Sequence, residues 1–210
     1  MRLYIVRHGE TDWNKTRRMQ GKSDIPLNDF GRRLARDTRD GLKEVAFDIA
    51  YTSPLIRAKE TAEIIIGDRQ IPLIEDERIQ EIGFGEFEGL CCSKEGYNIP
   101  DPGFENFFSA PGSYQPPKGG ESYPDILRRL QSFLEELYGN KELEDKTVLI
   151  ATHGAALRGM LVLMKQLPLE QFWIGGVHKN CAVSIIDVKD KKAEIIEEAK
   201  VYYTCAGGGW

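Results

Sequence analysis

The sequence predicts an α/β fold with a mostly parallel central sheet and helices on both of its faces. Two short runs, residues 3–6 and 148–151, are apolar at every position. Strands that helices cover on both sides have this continuous apolar pattern, whereas half-exposed strands alternate apolar and polar residues. Helical and strand-like segments also alternate along the chain, which is typical of a parallel sheet.

Four further strand candidates complete this order. Residues 47–52 and 71–74 are weaker candidates in the first half of the chain, and residues 181–187 and 194–202 are expected to finish the sheet. The chain contains no internal repeat and no linker that would separate two domains.

Four helices are predicted from capping residues and apolar spacing. Asn28 can cap a helix that continues to about Val45. Ser53 followed by Pro54 predicts a second helix, with Ser as the N-cap and Pro at the first helical position. Ser122 predicts the start of a third helix, and a fourth spans about residues 155–165. Inward-facing residues recur at helical spacing in the first three helices: Leu34, Thr38 and Leu42; Leu55, Ala58, Ala62 and Ile65; Ile126, Leu127, Leu130, Phe133, Leu134 and Leu137.

Residues 1–210 are therefore expected to form a single domain, with one insertion. The stretch from about residue 83 to 120 is rich in Gly, Pro and aromatic residues and interrupts the alternation of strands and helices. A long irregular segment in a compact domain is often a lid or a binding loop. We expect a small irregular cap, in which Phe104, Phe107 and Phe108 pack against one another.

Composition and charge exclude several functions. The chain carries a formal net charge of −5, so it lacks the basic character on which non-specific nucleic-acid binding rests. No apolar run approaches the length of a membrane span, and the first strand candidate follows Met1 without the layout of a signal peptide. A cytoplasmic enzyme is therefore expected. The oligomeric state is open, and a homodimer is compatible with the sequence.

The cysteine and histidine pattern predicts neither disulfides nor a metal site. Cys91 and Cys92 are adjacent, and no two cysteines have the CxxC spacing. Without an export signal we expect free thiols, Cys181 and Cys205 included. The three histidines lie far from any Cys or His at ligand spacing, so no metal and no cofactor are predicted. Cys91 and Cys92 have no evident role beyond packing.

Two His-Gly pairs follow the two strongest strand candidates. One residue, Arg7, separates residues 3–6 from His8 and Gly9. One residue, Thr152, likewise separates residues 148–151 from His153 and Gly154. Ligands of open α/β sheets bind beyond the carboxyl ends of the strands. The two histidines would therefore meet at one site if their strands are neighbours.

Arginine and glutamate complete a phosphate-handling set. Arg7 precedes His8, and Arg57 lies in the first turn of a helix, where the N-terminus also favours phosphate. A neutral imidazole can attack phosphorus between two such guanidinium groups. The leaving group then needs a proton, and Glu81, between Ile79 and Ile82, is the best donor because a general acid favours a partly buried site.

Less specific interpretations exist for most of these residues. Arg57 could pair with Glu60 on its own helix, and Glu81 could form a surface salt bridge. His178 is expected to be solvated in its loop rather than catalytic. Arg17 and Arg18 could bind a second anionic group or belong to a solvated face. Glu86 and Glu88 are expected to be solvated or structural, and residues 207–210 a loose tail.

The sequence resembles the histidine phosphatase superfamily, also called the phosphoglycerate-mutase-like family, over nearly its whole length. A single Arg-His-Gly tripeptide would be weak evidence, but six ordered blocks at compatible spacing are specific. One departure is Phe87, where many relatives have Trp. The blocks are Arg7-His8-Gly9-Glu10-Thr11-x-x-Asn14, Leu27-Asn28-x-x-Gly31, Ser53-Pro54-x-x-Arg57-Ala58-x-x-Thr61-Ala62, Glu81-Ile82-x-Phe84-Gly85-x-Phe87-Glu88-Gly89, Gly119-Gly120-Glu121-Ser122 and Thr152-His153-Gly154.

The resemblance implies a role for each matched residue. His8 would become phosphorylated, and Glu81 would protonate the leaving group and then activate water. The phosphoryl group would be held by a larger set, in which the backbone N–H of the glycine approaches the phosphate: Arg7, Asn14, Arg57, His153 and Gly154.

Three functions remain open at this point. A phosphatase acting on a small phosphorylated metabolite is favoured, because the stretch between Glu81 and the Gly-Gly-Glu-Ser block is short, whereas mutases of the family tend to have a longer insertion. A phosphoglycerate mutase that uses the same phosphohistidine is the alternative. A non-catalytic phosphate-binding protein is less favoured, since nucleophile and acid are both present. The metabolite itself is not evident from the sequence.

Overall fold

The structure, a computed structural model, describes residues 1–204. Cys205 and the predicted tail at 207–210 lie outside this range. The described strands are β1 (Arg2–Arg7), β2 (Ile49–Thr52), β3 (Leu73–Glu75), β4 (Thr147–Thr152), β5 (Val183–Lys189) and β6 (Lys192–Lys200). They form one six-stranded sheet in the order β3-β2-β4-β1-β5-β6.

The centre of the sheet is parallel and its far edge is antiparallel. β3, β2, β4 and β1 pair in parallel, whereas β5 and β6 are antiparallel to their neighbours. Arg7 is in register with Thr152, and Thr52 is in register with Ala151. The carboxyl ends of β1, β2 and β4 are therefore level, and the residues that follow them meet at one edge.

Helices cover both faces of the sheet. They are α1 (Asp12–Lys15), α2 (Asp29–Gly41), α3 (Ile56–Ile66), α4 (Asn106–Ser109), α5 (Tyr123–Gly139) and α6 (Gly154–Lys165). Successive β1 side chains belong to different cores: Leu3 and Ile5 pack with residues of α5 and α6, and Tyr4 and Val6 pack with residues of α3 and of the segment that follows α2. The predicted α/β fold with a mostly parallel sheet is confirmed.

The helix boundaries differ from the prediction where a cap comes from a distant segment. Ser53 does not cap α3, which begins two residues later than its N-cap position predicts. The N–H of Ile56 instead donates to Asp24 Oδ1 at 2.7 Å, because a carboxylate from another loop satisfies the free end. α6 begins at Gly154, one residue earlier than expected.

Local capping residues act as predicted in α2 and α5. The Asn28 side chain accepts a hydrogen bond from Gly31 N at 2.8 Å, and Ser122 forms a reciprocal capping box with Asp125. α2 ends at Gly41 rather than near Val45. The chain turns there, since the N–H of Val45 donates to the carbonyl of Leu42 and does not continue the helical ladder.

The last two strands begin and end at different residues from those predicted. β5 begins at Val183, two residues late, because Cys181 has a left-handed backbone with φ 55°. The Cys181 N–H donates to the carbonyl of Arg7 at 3.0 Å, which closes a turn beside the end of β1. β6 extends from Lys192 to Lys200 rather than 194–202.

Residues 83–120 contain α4, short 3₁₀ helices and turns, and no strand of the sheet. A bridge between Phe84 and Gly120 closes the base of the segment. Inside it the ring of Phe107 stacks on Phe104 with centroids 5.8 Å apart and contacts Phe108 edge-on at 4.8 Å. The aromatic side chains therefore pack together, as expected. No helix within residues 1–204 is long and apolar enough to cross a membrane.

Candidate active site

Two histidines from neighbouring strands lie side by side. His8 follows β1 and His153 follows β4, and the His8 N–H donates to the carbonyl of Thr152 at 2.9 Å. The centroids of the two imidazoles are 5.2 Å apart. His8 is 2% exposed and His153 is fully buried. The parallel register of β1 and β4 thus brings together the two His-Gly pairs of the sequence.

The His8 ring is held in one tautomer. Its Nδ1 lies 2.7 Å from the carbonyl oxygen of Gly9. Because a carbonyl can only accept, Nδ1 carries the proton and Nε2 keeps its lone pair. Burial, and then the charges of Arg57 and Arg7, lower the pKa of His8 well below its ordinary value of 6.5. The imidazole is therefore neutral near pH 7, which a nucleophile requires.

Arg57 is buried and orients His153. Its Nε donates to His153 Nδ1 at 3.2 Å, and its two terminal nitrogens donate at 2.7 Å to the carbonyls of Ser23 and Gly21. His153 therefore carries its proton on Nε2. Burial lowers the pKa of Arg57 to about 10, so the guanidinium stays charged at neutral pH. Glu60 instead pairs with Arg32 at 2.6 Å.

Arg7 is anchored by the loop that precedes β5. Its Nη1 donates to the backbone carbonyl of His178. Burial lowers the pKa of Arg7 to about 10, while the negative charge of Glu81 acts in the opposite direction. Arg7 thus remains a cation whose position is set from the loop that precedes β5.

Three buried donors of this site have no hydrogen-bond partner among the described residues. They are Arg7 Nε, Asn14 Nδ2 and His153 Nε2. Asn14 keeps its Nδ2 unpaired because its Oδ1 accepts from the Thr11 N–H at 3.1 Å. An unpaired buried donor costs about 1–3 kcal/mol, so a ligand that brings several acceptor oxygens would be stabilised here.

Glu81 lies at the N-terminus of α6. Its Oε1 accepts from the N–H groups of Ile82, Ala155 and Ala156 at 3.0–3.1 Å. Its neighbours Ile79 and Ile82 are fully buried, as the sequence pattern indicated. The carboxyl group is thus fixed in the same cleft as Arg7 and does not form a surface salt bridge within the described residues.

Gly154 leaves space between the charged groups. A Cβ at this position would lie 3.5 Å from Glu81 Oε2, 3.7 Å from Arg7 Nε and 3.3 Å from Val177 Cγ1. A larger residue would therefore reach into the region where the acid and the arginine face each other. The predicted contact of the Gly154 N–H with a phosphate stays a prediction.

A small cleft connects these groups to the surface. Arg7, Asn14, Glu81 and Gly154 line it together with one further cation, Arg18. The Arg18 side chain also donates to the carbonyl of Gly89 at 2.8 Å. The remaining wall is mostly apolar and aromatic: Met19, Phe84, Phe107, Phe108, Trp173 and Val177.

The prediction that His178 is solvated was wrong. Its side chain is 4% exposed, and its Nε2 lies 3.5 Å from Glu198 Oε1. Burial lowers the pKa of His178 to about 4. Its loop packs behind Arg7, which no local feature of the sequence indicates.

Several supporting residues were missed by the sequence analysis. Asn180 donates through Nδ2 to the carbonyl of His8 at 3.0 Å, and Gly21 and Ser23 hold Arg57 through their carbonyls. Backbone acceptors have no side-chain signature, so only the fold identifies them. Glu88 is structural, as expected, since its carboxylate accepts from Lys22 N and Phe84 N, and Glu86 is exposed.

The thiols are free and contact backbone. Within residues 1–204, Cys91, Cys92 and Cys181 form no disulfide. Cys91 Sγ and Cys92 Sγ contact the carbonyls of Thr16 and Arg17, so the pair packs the base of the cap against the segment after α1. Within residues 1–204, no three His, Cys, Asp or Glu side chains are grouped to hold a metal ion.

Comparison with known proteins identifies the family. The uncharacterized phosphatase PhoE of Bacillus subtilis is 38% identical over 157 residues, which cover 75% of this chain and 74% of the relative. A 2,3-bisphosphoglycerate-dependent phosphoglycerate mutase of Parvibaculum lavamentivorans is 35% identical over 177 residues, covering 80% and 82%. The structure of Bacillus stearothermophilus YhfR superposes with a TM-score of 0.88 at 37% identity and covers 95% of this chain and 97% of its own. The model of the histidine phosphatase superfamily (branch 1) matches residues 3–199, and the chain belongs to this superfamily.

Proposed function

We propose that the protein is a phosphatase that hydrolyses a small phosphomonoester through a phosphohistidine on His8. One observation carries the proposal: the site that holds the neutral imidazole of His8 also has three buried donors, Arg7 Nε, Asn14 Nδ2 and His153 Nε2, with no hydrogen-bond partner within residues 1–204. A phosphoryl group has the three non-bridging oxygens that such donors require. Phosphoryl transfer depends mainly on positioning and on stabilising the charge of those oxygens.

In the first step Nε2 of His8 attacks phosphorus and the bond to the ester oxygen breaks. The electron pair of that bond stays on the leaving oxygen, which takes a proton from the carboxyl group of Glu81. Arg7 and Asn14 donate to the transferred phosphoryl oxygens. Arg57 contributes its charge and holds His153, whose Nε2–H donates to the same group.

The second step releases phosphate. The carboxylate of Glu81 takes a proton from a water molecule, and the water oxygen attacks phosphorus as the bond to His8 Nε2 breaks. The products are inorganic phosphate, neutral His8 and protonated Glu81, so the site returns to its starting state. The N–H of Gly154 lies at the start of α6, where a helix N-terminus favours the anion.

The walls of the cleft favour an apolar or aromatic leaving group. Phe107, Phe108 and Trp173 line it, and Arg18 is the one cation lining the cleft, within the described residues, that the phosphoryl group does not engage. Glu81 is the one acidic residue among these lining side chains, and three N–H groups already hold it. A leaving group with an ammonium ion would therefore find no free carboxylate.

The mutase alternative is supported by the relative of that name. A mutase must hold a substrate that has anionic groups at both ends for as long as the phosphohistidine exists. Binding such a substrate requires more cations beside the leaving group than Arg18 alone. The proposal therefore favours hydrolysis, with water able to enter under a short cap at about residues 83–120. The single-domain organisation, a cytoplasmic location and a homodimer stay predictions from the sequence.

Phosphate release from a panel of phosphomonoesters tests the function. The panel should include aryl, sugar and amino-acid phosphates, with His8→Ala as the blank and its melting curve as the check of folding. We expect release that requires His8 and a phosphoenzyme that is labile in acid. A second assay uses 3-phosphoglycerate with a trace of 2,3-bisphosphoglycerate: fast isomerisation with little free phosphate would establish the mutase instead.

A further inference from the structure

The backbone that carries Glu81 lacks regular structure. Residues 80–83 follow the short turn Glu77–Ile79 and belong to no helix or strand. Buried backbone carbonyls of such a segment need donors from elsewhere, because no ladder supplies them. The position of the Glu81 carboxyl group therefore depends on side chains that hold this segment.

One side chain, Arg129 of α5, provides these donors. Its Nη1 donates at 2.7 Å to the carbonyls of Arg78 and Gln80, and its Nη2 donates at 2.9 Å to the carbonyl of Glu81 itself. A guanidinium has five N–H groups. Three of them are thus used on the stretch that leads into Glu81.

The other two N–H groups pair with Glu121. Arg129 Nε donates to Glu121 Oε1 at 3.0 Å, and Arg129 Nη2 donates to Glu121 Oε2 at 3.0 Å. The pair is mostly buried, with side chains 16% and 17% exposed. Glu121 Oε2 also accepts from Gly83 N at 2.9 Å, and the Glu121 N–H donates to the carbonyl of Gly83. The ion pair therefore encloses the segment on both sides of Glu81.

We infer that Arg129, held by Glu121, is a positioning residue for the acid step: it sets where the Glu81 carboxyl group meets the leaving oxygen. Arg129 does not line the cleft, so it acts through Glu81 and not on the substrate. The inference rests on the proposed role of Glu81. Lysine cannot replace it, because an ammonium has three donors and no planar fork.

A leaving-group comparison tests this role. p-Nitrophenolate leaves as a stable anion without a proton, whereas a simple alkyl alcohol needs one. The assay measures alcohol release in a single turnover with enzyme in excess, which isolates formation of the phosphohistidine. A general acid contributes about 10²–10⁴-fold, so its displacement by Arg129→Lys should slow the alkyl phosphate about 10- to 100-fold and p-nitrophenyl phosphate by less than about 3-fold.

The neighbouring arginine provides the matched control. Arg128→Lys makes the same change one residue away on α5, at a side chain that is 74% exposed and pairs only with Asp125 within the described structure. It should leave both substrates unchanged. Glu121→Gln is the second variant in case Arg129→Lys folds poorly. It loses the charge and one acceptor, and should reproduce the selective loss on the alkyl phosphate.

Glu81→Gln is the reference variant that separates the proposed acid role of Glu81 from the positioning role of Arg129. If it slows the alkyl phosphate selectively and Arg129→Lys does too, the inference is supported. If Glu81→Gln is selective but Arg129→Lys slows both substrates equally or neither, the positioning role is wrong while the proposed function stands. If Glu81→Gln itself shows no leaving-group dependence, the role of Glu81 fails and the inference fails with it.

Discussion

Acidification should destabilise the ligand-free protein well above the pH at which carboxylates titrate. The chain contains three histidines, and all three are buried. Burial is the main cause that lowers the pKa of His8 and His153 well below 6.5 and that of His178 to about 4. The folded protein therefore keeps its imidazoles neutral at a pH where the unfolded chain protonates them.

The sign and size follow from proton linkage. A folded-state pKa below the unfolded value means that the unfolded chain binds more protons, so stability is complete above about pH 6.5 and falls as the pH decreases. Between about pH 7 and pH 5 each histidine that stays neutral costs about 2 kcal/mol, hence about 6 kcal/mol for the three. Domains have about 5–15 kcal/mol in total, so a large part of the stability would be lost.

Urea unfolding at several pH values between about 7 and 5 measures this loss, a window in which most carboxylates are ionised in both states. His178→Gln is the matched variant, because it removes one of the three imidazoles at a position outside the cleft. Its loss over the same range should be smaller by about 2 kcal/mol. A free energy of unfolding that is flat across this window, or an unchanged loss in the variant, would refute the reasoning.

Three further predictions concern single side chains. Gly31→Ala should destabilise the protein by about 3 kcal/mol or more in urea unfolding, because its Cβ would lie 2.1 Å from the carbonyl oxygen of Glu10. Ser122→Ala should cost about 1 kcal/mol through loss of the α5 capping box, with kcat unchanged in the phosphate-release assay; a stability equal to wild type would show that the cap is dispensable. Arg57→Lys should lower kcat/KM about 100-fold, since one ammonium cannot hold two carbonyls and His153 together, and a loss below about 3-fold in steady-state kinetics would contradict that geometry.

The sheet and the paired histidines could be predicted because their signals are local. Residues 3–6 and 148–151 are apolar throughout, and burial on both faces leaves few alternatives for such runs. His8 and His153 follow directly, so their meeting required only that β1 and β4 be neighbours. β1 and β4 are indeed paired in parallel, with Arg7 opposite Thr152.

The parts that could not be predicted depend on contacts between distant segments. Asp24 satisfies the free N-terminus of α3, so the nearby Ser53 is a misleading cap signal. The sequence around His178 is that of an ordinary loop, and no residue next to it in the chain indicates that the side chain is buried beside Glu198. In each case the energy that decides the structure comes from a partner more than 15 residues away, and local propensity carries no information about it.

The electrostatics of the site explain why an acidic protein can select a phosphorylated ligand. The chain carries a net charge of −5, so its overall field repels anions, yet two buried guanidinium groups lie beside two neutral imidazoles. Burial lowers the pKa of both Arg7 and Arg57 to about 10, and Glu81 is the first carboxylate that opposes this in each case. Asp24 and Glu88 also act on Arg57, yet burial still dominates at both arginines, and the unpaired donors of Asn14 and His153 increase the cost. A phosphomonoester dianion brings negative charge and acceptor oxygens together, so affinity should come from pairing these buried groups rather than from long-range attraction.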